Sequence, residues 1–513
     1  MKDDDAGAAA GPNPFGRPLF DDPAARALAR VGVVDVGSNS VRLVVFDGAA
    51  RSPAYFYNEK VMAGLGKGMA ETRRLDPEGR ARALAALRRF ALLARAMGIS
   101  PLSTVATAAV RDAADGPAFV EEVERETGLR LWVVDGREEA RLSAQGVLLG
   151  WPGASGLVCD IGGSSMELAE LDGGRVGRRE TSALGPLKIQ QLDRKARKAA
   201  IAEGVEALLK AVGRKGDRLF LVGGSWRAIA RLDMLRRDYP LHVLHEYRLS
   251  RTDAARTIAW IAENDIADLK ARSGLSEARI SLVPIAGEVL KAVLKAYAPK
   301  EIAISAYGIR EGMLYEQMPR RLRDRDPLIE AARFAEAKDA RLPGFGRTLY
   351  EFLRPLYRNA RPDRLRLVRA ACLLHDVTWR AHPDYRAELC FDNATRANLG
   401  GLDHPGRVFL GLALMHRYKN ARDEARFGEV LSLLREEPLR AAEQLGRAMR
   451  FGAMLAATEP EQMGALKWYP KKRRLDFVMR PETAGLFGEV AEARFRALAA
   501  SLDAEAVARV ARG

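Results

Sequence analysis

Two distant stretches of this chain repeat one pattern. Val33-Val-Asp-Val-Gly-Ser-Asn-Ser-Val-Arg-Leu43 aligns with Val158-Cys-Asp-Ile-Gly-Gly-Ser-Ser-Met-Glu-Leu168, which sets Asp35 opposite Asp160. In each, an apolar run leads to Asp, a polar turn containing Gly follows, and a second apolar run returns, as a β-hairpin requires. Repeats this large imply duplicated domains and not a solenoid. Strands and helices alternate around each copy from Val33 to about Pro319, so the expected fold class is α/β.

The local signals set the elements. Val33–Val36 and Val41–Phe46 read as strands joined by Gly37-Ser38-Asn39-Ser40. Asp76 as N-cap with Pro77 at the first helical position opens a helix that Gly98 stops. Thr104–Val110 reads as a strand, Pro117 to Gly128 as a helix, Leu131–Val134 as a strand, and Arg137–Leu149 as a helix. Gly150-Trp151-Pro152-Gly153 breaks that helix and marks a domain boundary. Gly156–Ile161 and Met166–Leu171 are then the second hairpin. The expected domains are 31–150 and 151–319, a disordered tail over 1–30, and a third domain over 320–513 that reads as helical, with no convincing strand.

A chain of 513 residues exceeds a single core. The acidic start, Met1-Lys2-Asp3-Asp4-Asp5, lacks the apolar stretch of a signal peptide, and no run is apolar enough to span a membrane, which predicts a cytoplasmic protein. Cys159, Cys372 and Cys390 lack metal spacing and fit a reducing compartment. Net charge is +15, which draws polyanions: nucleic acid, anionic lipid or polyphosphate. From Arg320 onward there are 36 basic and 26 acidic residues, so much of the excess lies in the third domain.

The two turns carry the chemistry. Glycines leave backbone N–H groups open to phosphate oxygens, and Ser and Asn side chains add donors. Gly37, Ser38 and Asn39 in the first turn, and Gly162, Gly163 and Ser164 in the second, are therefore the candidate phosphate-binding residues. Asp35 and Asp160 end the strands before the turns. Acids beside a phosphate repel it unless a divalent cation lies between, so these two are the candidate metal residues. Mg²⁺, reached directly or through water, is the natural ion. A carboxylate on a helix flanking such a cleft can accept a proton from water, and of Glu138 and Glu139, one helical step apart, only one can face it squarely.

Hairpins paired in this way are the arrangement of the superfamily of actin, hexokinase and the heat-shock chaperones. Asp35-Val-Gly-Ser-Asn-Ser40, Ala106-Thr-Ala-Ala-Val-Arg-Asp112, Gly136-Arg-Glu-Glu-Ala140 and Asp160-Ile-Gly-Gly-Ser-Ser-Met-Glu167 occur in that order. Val222-Gly-Gly-Ser225, the Tyr239-Pro240 to His245 stretch, and Ser305-Ala-Tyr-Gly-Ile-Arg-Glu-Gly312 follow. As an ordered set, covering roughly Val33 to Tyr315, they resemble the exopolyphosphatase / guanosine pentaphosphate phosphohydrolase family. The resemblance implies two duplicated actin-like (RNase H-like) domains followed by an α-helical HD-like C-terminal domain. It implies Mg²⁺-dependent release of terminal orthophosphate from inorganic polyphosphate, with guanosine pentaphosphate (pppGpp) as the near variant, and a homodimer. Residue by residue, Glu139 matches the general base that activates water, and Glu167 a carboxylate that helps hold metal or water. Asp160, Gly162, Gly163 and Ser164 match the phosphate and metal site, and Arg111 a residue that grips phosphate. The second turn departs from the family's usual Gly-Gly-Gly-Ser-Thr-Glu: Ser164 stands for a glycine and Met166 for a threonine. The acids are all in place.

Leu373-Leu-His-Asp-Val377 looks like the signature of an HD metal-phosphohydrolase domain. The further histidines such a site needs do not precede it, and His382, His404 and His416 stand apart, so an HD-like fold without its metal is expected. Its expected uses are dimerisation and a basic path for a polyanion. Lys471-Lys-Arg-Arg474 fits that path, and reads equally as a solvated charge run. A second reading is an ATP-dependent kinase or chaperone of the same superfamily, with Val222-Gly-Gly-Ser225 on the adenosine side; Trp226 and Arg227 would obstruct a purine there. No aromatic and basic residues interleave as in an RNA-binding motif, so no specific nucleic acid is expected.

Overall fold

The computed structural model describes residues 30–47, 51–100, 102–419, 424–455 and 459–511. The expected tail over 1–30 lies outside these residues, Arg30 excepted. The chain divides into two compact units, one of Leu28–Leu328 with Arg396–Arg407, the other containing Ile329–Thr395 and the stretch from Val408.

In the first unit the duplication is visible strand by strand. One sheet contains β1 (Val31–Val36), β2 (Val41–Phe46), β3 (Tyr55–Val61), β4 (Leu102–Ala106) and β5 (Trp132–Val133), in the order β3-β2-β1-β4-β5. The other contains β6 (Gly156–Ile161), β7 (Met166–Asp172), β8 (Arg175–Ser182), β9 (Arg218–Gly223), β10 (Arg248–Leu249) and β11 (Glu301–Ile304), in the order β10-β11-β9-β6-β7-β8. Without the edge strand β10 the orders are the same: an antiparallel three-strand meander, then two parallel strands. Register is duplicated too. Asp35 faces Arg42 across the first hairpin, and Asp160 faces Glu167 across the second.

The helices that matter for the site are α1 (Pro77–Ala96), α2 (Ala108–Asp112), α3 (Gly116–Thr127), α4 (Gly136–Gly150), α5 (Gly224–Arg236) and α6 (Ile309–Gln317). Asp76 accepts from the Gly79 N–H and Asp135 from that of Glu138, capping α1 and α4. The expected strand Thr104–Val110 is cut short. It ends at Ala106, where the Thr107 N–H reaches the Val36 carbonyl, and the chain turns into α2.

Period-two burial decides where the aspartates point. In β1, Val34 and Val36 enter the core beneath α1 and α3, whereas Val31 and Val33 join Leu142 and Leu149 of α4 and Met313 of α6. Asp35 shares the second face. In β6, Leu157, Cys159 and Ile161 face one core, and Val158 packs with Ala140, Ala144 and Val147 of α4. Asp160 shares that face. Both carboxylates thus point toward α4, which lies between the sheets.

Two glycines let α4 and α6 cross closely. A Cβ on Gly312 would lie 1.8 Å from the Leu142 carbonyl oxygen, and one on Gly146 2.2 Å from that of Gly308. Since both neighbours are backbone, Gly312→Ala is expected to lower the melting temperature by roughly 5–10 °C. Gly428→Ala, which meets no atom within 4 Å, is expected to leave it unchanged. Thermal melts of the two variants check this.

The second unit is helix-rich, with Pro362–Leu374 and Glu436–Leu455 among its helices. It also holds a sheet that the sequence did not suggest: β12 (Gly464–Tyr469), β13 (Arg474–Met479) and β14 (Glu505–Val510), with β12–β13 antiparallel and β13–β14 parallel. The Lys471–Arg474 run is the turn of that hairpin. The His-Asp pair is engaged within the protein. Asp376 accepts both a two-pronged bond from Arg341, at 2.7 and 2.6 Å, and the Tyr418 hydroxyl at 3.2 Å. His375 sets its Nδ1 2.7 Å from the Cys372 carbonyl oxygen. No helix among the described residues is long and apolar enough to cross a membrane.

Candidate active site

The two hairpin turns have the same backbone closure. Gly37 N–H donates to the Ser40 carbonyl at 3.0 Å, and Gly162 N–H to that of Ser165 at 2.9 Å. The turns meet: Ser38 and Ser164 Oγ lie 3.0 Å apart. Behind them is a cleft of about 170 Å³. Asp35, Gly37, Ser38, Glu139, Asp160, Gly162, Gly163 and Ser164 all line it, so eight of the sequence-derived candidates converge on one space.

The other three stand elsewhere. Asn39 lines an adjoining chamber. Glu167 is buried beside Asp160, accepting from the Thr181 hydroxyl at 2.9 Å, while its Oε2 has no hydrogen-bond partner. Arg111 is held by Asp112 at 3.0 Å, the Val134 carbonyl at 3.2 Å and Glu139 at 3.5 Å, and so borders the Glu139 carboxylate. The choice between the two adjacent glutamates is settled by α4. Glu138 pairs with Arg141, whereas Glu139 turns its carboxylate into the cleft.

The electrostatics are those of an acidic site short of positive charge. Burial, then Glu167 and Asp160, push the Glu139 carboxyl well above its ordinary value, with Arg111 opposing. Glu167 is pushed up to about 8, by burial first and then by Asp160. Burial raises Asp35 and Asp160 as well, against the pull of Arg310 on the former and of a Ser143 hydrogen bond on the latter. Among the described residues no three His, Cys, Asp or Glu side chains are grouped to enclose a metal by themselves. The donor set still suits a hard cation: two carboxylates at equivalent strand ends, over a turn open to substrate oxygens. Mg²⁺ is characteristically held by one or two carboxylates plus phosphate and water.

Two cleft cations lie outside the sequence-derived site, where Arg227 entered only as an obstacle to a purine. Arg310, in the first turn of α6, and Arg227, in the first turns of α5, both line the cleft. Arg310 makes no hydrogen bond or ion pair with another described residue, and its Nε is buried without a partner. Burial opposes its charge, but Glu311 and Asp35 outweigh that and hold its pKa up. Arg227 donates to the Ala306 carbonyl at 3.1 Å; burial and then Arg310 lower its pKa. A signal was present, because a cation in the first turn of a helix opposes the helix dipole and needs another reason to be there. Further out, Arg42 and Lys60 face each other across β2 and β3, in the same cross-strand row as Asp35. Burial and then Arg310 lower Arg42 to about 10. Neither Arg42 nor Lys60 has a carboxylate partner among the described residues.

Comparison with known proteins identifies the family. The model of the Ppx/GppA phosphatase family matches residues 44–321. The chain belongs to that family. A second model, the exopolyphosphatase C-terminal region, matches residues 358–507. Among Ppx/GppA relatives, exopolyphosphatase 1 of Mycobacterium tuberculosis is 26% identical over 311 residues, covering 56% of this chain and 88% of the relative. Retrograde regulation protein 2 of Saccharomyces cerevisiae is 24% identical over 438 residues, covering 75% and 72%. Of the solved structures, an exopolyphosphatase from Cytophaga hutchinsonii is 25% identical and covers 56% of this chain and 97% of its own, with a TM-score of 0.51. The fold is that of the Ppx/GppA proteins: two actin-like domains followed by a helical C-terminal region.

Proposed function

We propose that this protein is an exopolyphosphatase, which hydrolyses the terminal phosphoanhydride bond of inorganic polyphosphate. The observation that carries the reading is the pairing of opposites in one cleft. Asp35, Asp160 and Glu139 line the cleft together with Arg227 and Arg310, whose guanidinium groups have no carboxylate partner among the described residues. Arg111 beside Glu139 and the pull of Arg310 on Asp35 offset part of this charge; a polyphosphate end accompanied by a divalent cation would complete the balance. The relatives named exopolyphosphatase point the same way.

The terminal phosphate sits between the turns, accepting from the Gly163 backbone N–H and from the Ser38 and Ser164 hydroxyls, while the Gly37 and Gly162 N–H groups close the turns. Asp35 and Asp160 would hold Mg²⁺, which would supply positive charge against the phosphate oxygens. Glu139 accepts a proton from water as its oxygen bonds to phosphorus; the bridging P–O bond breaks and its electrons stay on the shortened chain. Arg111 orients the Glu139 carboxylate, and Glu167 backs Asp160. Arg310 and Arg227, with Arg42 and Lys60 beyond, take the following phosphates. Guanosine pentaphosphate presents the same terminal bond and is the near variant of the substrate.

The test is orthophosphate release from long-chain polyphosphate and from guanosine pentaphosphate, with Mg²⁺ and with chelator. Release from polyphosphate that stops on chelation is expected. Release from guanosine pentaphosphate alone would keep the site and replace the substrate. Turnover of ATP with neither substrate cleaved would defeat the hydrolase reading in favour of a kinase or chaperone.

A further inference from the structure

A larger chamber of about 490 Å³ adjoins the cleft. Ser38, Ala108 and Ser164 line both spaces, so the contact between the two hydroxyls is the partition between them. Lys67 and Arg73 enter the chamber from the first actin-like domain, and Lys188 from the second. None of these three side chains has a hydrogen bond or ion pair with another described residue. Gln190 and Gln191 add amide donors, while Glu71 and Asp112 offset part of the charge.

The two sides of the partition therefore differ. On the cleft side stand Arg227, which donates to the Ala306 carbonyl, and Arg310, with Arg42 and Lys60 further out, which suits a multiply charged chain. On the chamber side three exposed cations face two acids, which suits one small oxyanion held briefly. Chemistry supplies the direction. In an in-line displacement the attacking water and the leaving chain lie on opposite sides of phosphorus, and the phosphoryl group moves toward the water. With the chain against Arg227 and Arg310, new orthophosphate moves toward the water that Glu139 holds, and the chamber adjoins that cleft beyond the Ser38–Ser164 contact.

We infer that the chamber lined by Lys67, Arg73 and Lys188 is an exit site for orthophosphate, entered when the Ser38–Ser164 contact parts. The inference rests on the hydrolase reading above. It makes substrate entry and product departure separate routes, so a chain can stay bound while each released phosphate leaves.

The test is the triple variant Lys67→Gln, Arg73→Gln, Lys188→Gln in the full chain, none of which touches the catalytic carboxylates. Inhibition of polyphosphate hydrolysis by added orthophosphate is expected to weaken about tenfold, with KM for long polyphosphate within about twofold of wild type. A raised KM with unchanged inhibition would assign the chamber to the chain and overturn the inference. No change in either would remove the site. Phosphorus NMR titration with inorganic phosphate, which needs no turnover, separates the two claims. Loss of binding in the triple variant supports the chamber as an anion site even if the hydrolase reading fails, and unaltered binding overturns it even if hydrolysis is found.

Discussion

Replacing Glu139 with Gln is expected to lower the rate of orthophosphate release by roughly 10²–10⁴-fold, with KM for polyphosphate within a few-fold of wild type. The amide keeps the size of the side chain and cannot accept the proton. The pH profile carries the more particular expectation. Burial, Glu167 and Asp160 raise the Glu139 carboxyl well above its ordinary value, so at low pH the base is protonated and idle. Activity should therefore rise with pH along a limb displaced upward from the ordinary carboxylate range, and bound Mg²⁺ should draw the limb down by favouring the charged forms. Glu139→Gln should lose the limb along with the rate. The measurement is kcat against pH for both proteins. A profile flat from acid to neutral pH in the wild type would remove Glu139 from the role of base.

The second large effect is expected at Arg310. Its Nε is buried, and the side chain lines the cleft with no partner among the described residues, so its electrostatic work remains for the substrate. Removing one such donor from a preorganised site typically costs about 10²–10³ in rate. Arg310→Met is expected to fall in that range, and Arg310→Lys to recover part, since the ammonium restores charge without the fork. A second consequence follows from Asp35. Arg310 is the largest charge holding that carboxyl down against burial, so its loss should push Asp35 further up. Mg²⁺ activation of Arg310→Met should then need a higher pH than in the wild type. Titrating activity with Mg²⁺ at two pH values separates this from a simple loss of grip, which would leave the metal requirement unmoved.

Much of this architecture was legible because its signals are local. The Asp-Gly turns, the Asp76–Pro77 helix start and the Gly150–Gly153 break each depend on a few adjacent residues, and the duplicated hairpin exposes the sheet order by repetition. Where non-local pairing decides, the reading failed. Glu505-Ala-Val-Ala-Arg-Val510 has a helical composition and becomes a strand because β13 offers it a parallel edge. The turn at Lys471–Arg474 lacks Gly or Asn at its left-handed position, Arg473 at φ 45°, so the run read as charge alone. Thr104 and Val105 have strand propensity, yet beyond Ala106 the alanine-rich Ala108-Ala-Val110 goes into α2.

The site divides along the same line. The turn residues and carboxylates were found because their spacing is their chemistry. Arg310 lay within a motif used only to establish the resemblance. What marks it, a guanidinium left without a partner, is a property of the folded protein. Arg111 was found and its surroundings were not: the Glu139 carboxylate 3.5 Å away makes it a neighbour of the base.

The central claim is that water, and no other acceptor, takes the terminal phosphate of polyphosphate. Hydrolysis of long-chain polyphosphate in water enriched in oxygen-18, with mass spectrometry of the released orthophosphate, tests it directly. The account predicts one solvent oxygen in each orthophosphate released from the chain end, and none added in the Glu139→Gln protein beyond its residual turnover. Orthophosphate without solvent oxygen, or a phosphoryl group recovered on a nucleotide or sugar, would contradict it.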